Sequence, residues 1–203
     1  MKKLGRKVGL IALGALMSGT ALLVTPRAAE AQDSPWWIYL DGGYSFLTGN
    51  ASDAYDGGFT GGLAFGKIIQ ERFLAGLFGE VGFHSSKEFN VIGISEFGKA
   101  TVWRYGLWGG VNALEPANPW AVIFGAGLGL GTISVGEAKD AQGASIPGSG
   151  FSETDFLLQG NIAVSRQMAE KVSLGLNSTF YIIFTEGDSW TAIPLEAFVA
   201  ITP

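Results

Sequence analysis

The chain has 203 residues, of which 31 are glycine and none is cysteine. Hydrophobic residues make up 47%, charged residues 15%, and the mean hydropathy is +0.29. Glycine at about twice its usual share, without abundant proline, excludes collagen and a disordered chain. With no cysteine and a single histidine, His84, the chain has neither a disulfide framework nor a thiolate or multi-histidine metal centre.

Residues 1–31 have the pattern of a cleaved export signal. An apolar stretch from Val8 to Val24 precedes the small-residue site Ala29-Glu30-Ala31, and four basic residues come before it: Lys2, Lys3, Arg6 and Lys7. We expect cleavage after Ala31 rather than an anchoring helix, because glycine and serine dilute the apolar stretch. Cleavage removes five of the 13 basic and one of the 18 acidic residues, which leaves residues 32–203 as one domain with a net charge of −9. Nucleic acid is not expected as a partner of so acidic a chain.

The first element of that domain is a strand with two different faces. From Trp36 to Phe46, one set of alternate residues is apolar and the other contains Trp37, Asp41 and Ser45. No run of 18 apolar residues follows residue 32, so no transmembrane helix is predicted.

The same alternation recurs in seven further segments, each about a dozen residues long. One face of each is aliphatic or aromatic, and the other mixes glycine with polar residues. A tilted strand needs roughly 9 to 11 residues to cross a bilayer. The predicted strands are 36–46, 58–69, 73–84, 101–113, 120–133, 153–165, 171–184 and 190–201.

Links of unequal length join these segments. The links after the first, third, fifth and seventh strands are polar loops at 48–57, 85–100, 134–152 and 185–189, whereas those after the second, fourth and sixth are short, at 70–72, 115–119 and 166–170. Such alternation is typical of outer-membrane barrels, with short links in the periplasm and longer ones outside. We therefore predict an all-β fold, an eight-stranded antiparallel up-and-down transmembrane β-barrel with both termini periplasmic. Its first and eighth strands must pair, because an open sheet edge is too costly in hydrocarbon.

The apolar face is predicted to lie outside. Turned inward, some forty large side chains would overfill the lumen of an eight-stranded barrel, which admits only modest filling. Polar residues and glycines are then expected in the lumen, where the glycines of the fifth strand leave room for Trp37, Trp108 and Tyr181.

On this pattern, residues 36–201 resemble the small outer-membrane β-barrels of the OmpA, OmpX and outer membrane protein β-barrel domain kind. The resemblance implies a location in the bacterial outer membrane, with lipids, lipopolysaccharide and the outer-membrane assembly machinery as partners. We expect no periplasmic peptidoglycan-binding domain, because the predicted barrel takes up the chain. The chain departs from the family in ending Ile201-Thr202-Pro203 rather than in an aromatic residue. Aromatic residues near strand ends are expected to form two interfacial girdles: Trp36, Phe59, Trp103, Trp120, Phe184 and Trp190.

Charged and amide side chains on the inward face are the candidate site. Counting from strand ends places Glu80 beside Arg104, and Asp41 near Glu196 at the closure of the barrel. We expect a structural plug that satisfies buried polar groups in preference to a gated pore. Four further residues are predicted to continue the network: Asp155, Gln159, Asn161 and Asn177.

His84 and Ser86 are the candidate residues for catalysis. With Glu88 or Glu96 nearby, they offer the residue types of a histidine-activated serine, as in outer-membrane lipid A deacylases. We expect no catalysis, no cofactor and no metal, and we interpret His84 as a residue of the barrel rim.

The preferred function is a structural or surface-interaction barrel whose loops contact lipopolysaccharide, other cells or host surfaces, with no particular surface partner indicated. A narrow channel for small solutes, a lipid A-modifying hydrolase and a soluble lipid carrier are the alternatives.

Overall fold

A computed structural model of the chain describes residues 35–91 and 94–203, with the backbone alone for residues 88–91, 94 and 95. The predicted export signal, residues 1–31, lies outside the described residues. Ten strands and one short helix, α1 (Ala51–Ala54), are present in the described part. The strands are β1 (Trp36–Thr48), β2 (Tyr55–Ile69), β3 (Phe73–Ser86), β4 (Glu88–Val91), β5 (Ile94–Glu96), β6 (Ala100–Asn112), β7 (Trp120–Val135), β8 (Phe151–Ala169), β9 (Val172–Ile183) and β10 (Trp190–Ile201).

Eight of these strands close into an antiparallel barrel in the order β1-β2-β3-β6-β7-β8-β9-β10, while β4 and β5 form a separate hairpin. Closure is made by β1 and β10, which pair from Ile38 opposite Ile201 to Thr48 opposite Thr191. The predicted eight-stranded up-and-down barrel and the pairing of its first and last strands are confirmed. Within the described residues, no helix is long and apolar enough to cross a membrane.

The two ends of the barrel differ in their connections. At one end, here called the short-turn end, the strands are joined through residues 70–72, 113–119 and 170–171, and both ends of the barrel chain lie here. In the first of these turns Gln70 and Glu71 adopt left-handed backbone angles, with φ of 51° and 60°. At the other end, the long-loop end, the connections are residues 49–54, 87–99, 136–150 and 184–189.

Several strands are longer than predicted. The strand predicted at 153–165 runs from Phe151 to Ala169, and the predicted short link 166–170 is largely strand, since the turn comprises only residues 170–171. The predicted loops 48–57 and 85–100 contain α1 and the β4–β5 hairpin.

The outer surface of the barrel is apolar. Leu107, Ile162 and Leu176 are 57%, 51% and 68% exposed, whereas Glu80 and Arg104 are 7% and 2% exposed. The predicted sidedness is therefore confirmed. Trp190 was expected in an outer girdle, and this expectation is wrong: it is buried among Tyr55 and His84, because its parity on β10 is inward.

An apolar core fills the long-loop half of the lumen, where the sequence predicted glycine and polar residues. Arg104 lies at its inner boundary, stacked over the Tyr181 ring, and Trp190 lies toward the loops. The side chains of this core are fully or nearly fully buried and include Val102, Ile133, Leu157, Ile183 and Ala192.

Candidate functional site in the barrel lumen

An ion pair stands at the middle of the lumen. Glu80 on β3 lies directly opposite Arg104 on β6, and a carboxylate oxygen of Glu80 contacts Nη2 of Arg104. The guanidinium carbon of Arg104 lies 4.0 Å from the centroid of the Tyr181 ring. The guanidinium group therefore makes a cation–π contact as well as the ion pair. The structure thus brings together the pair that counting from strand ends predicted.

Two further carboxylates converge on this pair. Asp41 on β1 is opposite Phe198 of β10, and Glu196 is opposite Gly43, so the two carboxylates lie diagonally across the closure. Carboxylate oxygens of Asp41, Glu80 and Glu196 all lie within 4.8 Å of one another. One guanidinium therefore faces three carboxylates, an arrangement that attracts positive charge.

A chain of hydrogen bonds runs from an aromatic wall to this cluster. Nε1 of Trp108 donates to Asn161 Oδ1 at 2.8 Å, and Asn161 Nδ2 donates to Asn177 Oδ1 at 3.0 Å. Asn177 Nδ2 in turn donates to Glu196 Oε2 and to Thr179 Oγ1, each at 3.0 Å. These bonds fix the amide orientations and hold Glu196 in place.

Asp155 and Gln159, the two other residues predicted to continue the polar network, are not part of this chain of hydrogen bonds. Asp155 lies toward the long-loop end, separated from Gln159 on the same face of β8 by the buried Leu157. In the part of the chain that the structure describes, neither residue is hydrogen-bonded to Asn161 or Asn177. Oε1 of Gln159 is buried without a hydrogen-bond partner.

Most charged and amide side chains of the lumen face a glycine on a neighbouring strand; Asn177, opposite Glu196 and Ala163, is an exception. Gly62 is opposite both Asp41 and Glu80, and a Cβ there would lie 2.3 Å from Glu80 Cγ and 3.1 Å from Asp41 Oδ1. Sequence reasoning missed this role of Gly62, although the inward parity of these glycines was visible. Further polar–glycine pairs are Glu196–Gly43, Arg104–Gly131, Asp155–Gly131, Gln159–Gly127 and Asn161–Gly125.

A cavity of about 190 Å³ occupies the short-turn half of the lumen. It extends from Glu80 at mid-barrel to Glu71 and Thr202 at the short-turn end. Its walls carry two aromatic pairs, Trp37 with Trp108 at 5.5 Å and Tyr39 with Phe198 at 4.5 Å between ring centroids. The lumen is thus divided into an apolar core, a charged centre and an open, aromatic-walled cavity.

The candidate catalytic residues do not form a catalytic pair. His84 is 2% exposed, lies below the rim against Trp190, and has no hydroxyl or carboxylate hydrogen-bonded to either ring nitrogen. Ser86 Oγ instead donates to Glu96 Oε1 at 3.3 Å. A serine nucleophile needs its base within hydrogen-bond reach, which this arrangement lacks.

Ion pairs and hydrogen bonds connect the long loops outside the barrel. Lys139 Nζ donates to Glu96 Oε2 at 2.8 Å and joins the third loop to the β4–β5 hairpin. This hydrogen bond and the lysine charge hold the pKa of Glu96 below its ordinary value. Asn50 Nδ2 likewise donates to Asp188 at 2.6 Å and lowers the pKa of that carboxyl.

Comparison with solved structures identifies the architecture. No family model matches the chain and no curated protein matches it. Neisserial surface protein A (NspA) superposes with a TM-score of 0.59 at 14% identity, over 83% of this chain and 97% of that one. The chain has the fold of a small outer-membrane β-barrel. The resemblance predicted from the strand pattern is confirmed at the level of the fold.

Weaker matches include Ail, the attachment invasion locus protein of Yersinia pestis, and the outer-membrane enzyme PagL. Ail is 11% identical over 84% of this chain and all of its own, with a TM-score of 0.49. PagL is 10% identical over 82% of this chain and 99% of its own, with a TM-score of 0.42. At such identities the likeness concerns the fold alone and assigns no activity.

Proposed function

We propose that this chain is a bacterial outer-membrane β-barrel with a structural or surface-interaction role, and that it neither conducts solutes nor catalyses a reaction. The observation that carries the proposal is the distribution of side chains across the barrel wall. Large apolar residues such as Leu107 and Leu176 are exposed all along the outside, while Glu80, Arg104 and Glu196 are buried inside. A soluble protein rarely exposes so extensive an apolar surface, and hydrocarbon requires it.

The proposed orientation has the short-turn end, and so both termini, in the periplasm. Short turns on the periplasmic side and longer loops outside are usual for such barrels. The long loops then form the outer surface, where lipopolysaccharide, other cells or host surfaces are the proposed partners. The cross-links Lys139–Glu96 and Asn50–Asp188 support this role, because loops held to one another present a more constant surface than free ones.

Cell fractionation combined with a heat-modifiability gel tests the location and the fold together. The protein is expected to sediment with the outer membrane, to require detergent for extraction, and to migrate differently before and after boiling. Extraction of the folded protein in buffer alone would contradict the proposal and favour the soluble lipid carrier.

A narrow solute channel is disfavoured by the apolar core of the long-loop half. Val102, Leu157 and Ile183 are fully buried there, so opening the Glu80–Arg104 pair leaves the lumen closed above it. We therefore expect no conductance in planar bilayers from the natural protein or from Glu80→Ala. Conductance that rises in Glu80→Ala would instead identify that pair as a gate.

A lipid A-modifying hydrolase is disfavoured because no hydrogen bond joins His84 to Ser86: both ring nitrogens of His84 lack a partner, and Ser86 Oγ donates to Glu96. Cells that overproduce the protein are expected to retain unmodified lipid A. Lipid A that is modified in these cells but unmodified in cells producing His84→Ala would show that the protein is a hydrolase. That result would contradict the proposed lack of catalysis but not the proposed outer-membrane location.

A further inference from the structure

The cavity in the short-turn half of the lumen has the size and wall chemistry of a ligand pocket. Apolar cavities of about 150 Å³ hold one benzene ring, so a volume of about 190 Å³ accommodates one ring with a short substituent. The mouth of the cavity is at Glu71 and Thr202, where the chain is partly exposed, and its floor is at Glu80. Entry is therefore from the short-turn end only, because the apolar core closes the other half.

The walls of the cavity are aromatic, and their arrangement suits a positively charged group. Trp37, Trp108, Tyr39 and Phe198 line the same space, as two pairs of rings in contact. Aromatic faces attract organic ammonium groups, with tryptophan the strongest of the three ring types. A hydrocarbon body would pack against these rings while a cationic head points toward the floor.

The floor of the cavity is Glu80, which belongs to a cluster with more acid than base; the other two carboxylates of that cluster, Asp41 and Glu196, do not themselves line the cavity. Asp41, Glu80 and Glu196 gather around the single guanidinium of Arg104, which is already bound to Glu80. Among the described residues that line the cavity, the charged ones are Glu71 and Glu80, both acidic. Either protons or a second cation must therefore balance the remaining carboxylates.

A buried hydrogen-bond acceptor without a partner is an independent indication that the cavity binds a group with hydrogen-bond donors. The Gln159 side chain is 8% exposed and lines the cavity, and its Oε1 has no hydrogen-bond partner. Oε1 of Glu196, a side chain 2% exposed, and Oδ1 of Asp41 are also without hydrogen-bond partners. Buried acceptors are costly to leave unpaired, and an ammonium group brings three donors and no acceptor.

We propose that this cavity binds a small organic cation with an apolar body, of the size of an arylalkylammonium, which enters from the short-turn end. The ring of the ligand packs between the Trp37–Trp108 and Tyr39–Phe198 pairs, and its ammonium donates to the acidic centre and to Gln159. A divalent metal is a poorer occupant, because the Arg104 guanidinium already occupies one side of the carboxylate cluster.

The test uses the six tryptophan indole N–H signals of the whole protein, folded in lipid nanodiscs, as position-specific reporters. Trp37 and Trp108 line the cavity, Trp36, Trp103 and Trp120 are on the outer surface, and Trp190 is in the apolar core. Titration with 2-phenylethylammonium is expected to shift the Trp37 and Trp108 signals saturably. The neutral isostere 2-phenylethanol should bind at least about tenfold more weakly, and phenylacetate more weakly still, because only the ammonium matches the charge of the floor.

Charge-neutral variants separate the acidic floor from the aromatic walls. Asp41→Asn and Glu196→Gln are expected to reduce the affinity for 2-phenylethylammonium about tenfold each, toward that of the alcohol. Glu153→Gln makes the same change in β8 at the long-loop end, outside the cavity, and should leave binding unchanged. Ala121→Trp, which narrows the cavity, should abolish binding of both ligands.

Equal affinity for the ammonium and the alcohol would overturn the proposal, since the floor would then be neutralised by protons. So would shifts confined to Trp36, Trp103 and Trp120, which indicate partition into lipid, or no shift at all. These three outcomes need only the natural protein, so the proposal remains testable if a variant fails to fold.

Discussion

At the scale of single residues, Arg104 is a positive charge buried inside the barrel. Its side chain is 2% exposed, contacts the Glu80 carboxylate and stacks on Tyr181. Removing one member of a buried ion pair leaves the other charge without compensation, which is more costly than the pair itself is favourable. Here the removal would leave three neighbouring carboxylates with no cation among them.

Arg104→Met is therefore expected to lower the free energy of unfolding by about 3 to 5 kcal/mol, measured by urea denaturation in liposomes. Arg166→Met is the matched control: that arginine is exposed and stacks loosely on Trp120, at 5.6 Å, so its loss should cost about 1 kcal/mol or less. Adding Glu80→Gln to Arg104→Met should recover part of the loss. Equal unfolding midpoints for the two single variants would refute the central role of the ion pair.

Gly125 has a steric role that its neighbours define. A Cβ at this position would lie 2.2 Å from Asn161 Oδ1 and 2.6 Å from Nε1 of Trp108, the two atoms that share a hydrogen bond. Gly125→Ala should therefore displace Trp108 and destabilise the barrel by about 1 to 3 kcal/mol, as overpacking typically does. Gly79→Ala, where a Cβ meets nothing within 4 Å, should be neutral in the same denaturation assay. Similar behaviour of the two variants would show that the lumen can rearrange around an added methyl group.

At the scale of elements, hydropathy alternation predicts each barrel strand and its inward face but not its full length. The reason is visible where β7 and β8 pass the apolar zone: Thr132 and Thr154 share a hydroxyl hydrogen bond of 2.8 Å, and Ser134 and Ser152 one of 2.9 Å. These pairs face outward on a continuing backbone ladder, yet they are polar. In β7 the two faces exchange character, because Thr132 and Ser134 alternate with the buried Ile133 and Val135, whereas in β8 both faces are polar over residues 152–155. A search for one continuous apolar face stops at either change. The β4–β5 hairpin was missed because its strands, Glu88–Val91 and Ile94–Glu96, have only four and three residues.

The contact between the third long loop and the hairpin should depend on pH. Because Lys139 lowers the pKa of Glu96 below its ordinary value of 4.5, the contact contributes its full stability above that value and loses it as the pH falls through the lowered pKa. The amide of Lys139, which donates to the Glu96 carbonyl at 2.8 Å, is the reporter. Its NMR shift should change with a midpoint below 4.5, and Glu96→Gln should remove the transition. A midpoint at or above 4.5 would mean that the ion pair does not persist in solution.

At the scale of the whole molecule, parity along each strand establishes what faces the lumen, but not how the lumen is filled from end to end. The sequence predicted Glu80 beside Arg104 because the two residues lie on adjacent strands and their positions can be counted from the strand ends. It did not predict the apolar core above them: Leu157 and Ile183 are opposite each other on neighbouring strands, but their clustering with Val102 of β6 joins strands that are not neighbours and depends on the stagger of the closed barrel. The cavity below the ion pair is equally invisible to a strand-by-strand analysis.

The outward face provides the most direct test of the whole architecture. Leu107 lies midway along the apolar zone of β6, and Val111 lies on the same face about 10 Å nearer the short-turn end, given strand rise and tilt. In a bilayer, Leu107→Arg should cost about 2 to 4 kcal/mol of folding free energy and Val111→Arg about 1 kcal/mol or less, because the cost of a charge falls with distance from the midplane. Both side chains are exposed, at 57% and 37%, so a barrel surrounded by water would tolerate either substitution. If both substitutions lower the folding free energy in liposomes by the same small amount, this face does not contact hydrocarbon. If Leu107→Arg costs several times more than Val111→Arg, the apolar face lies in the bilayer and Leu107 is nearer the midplane.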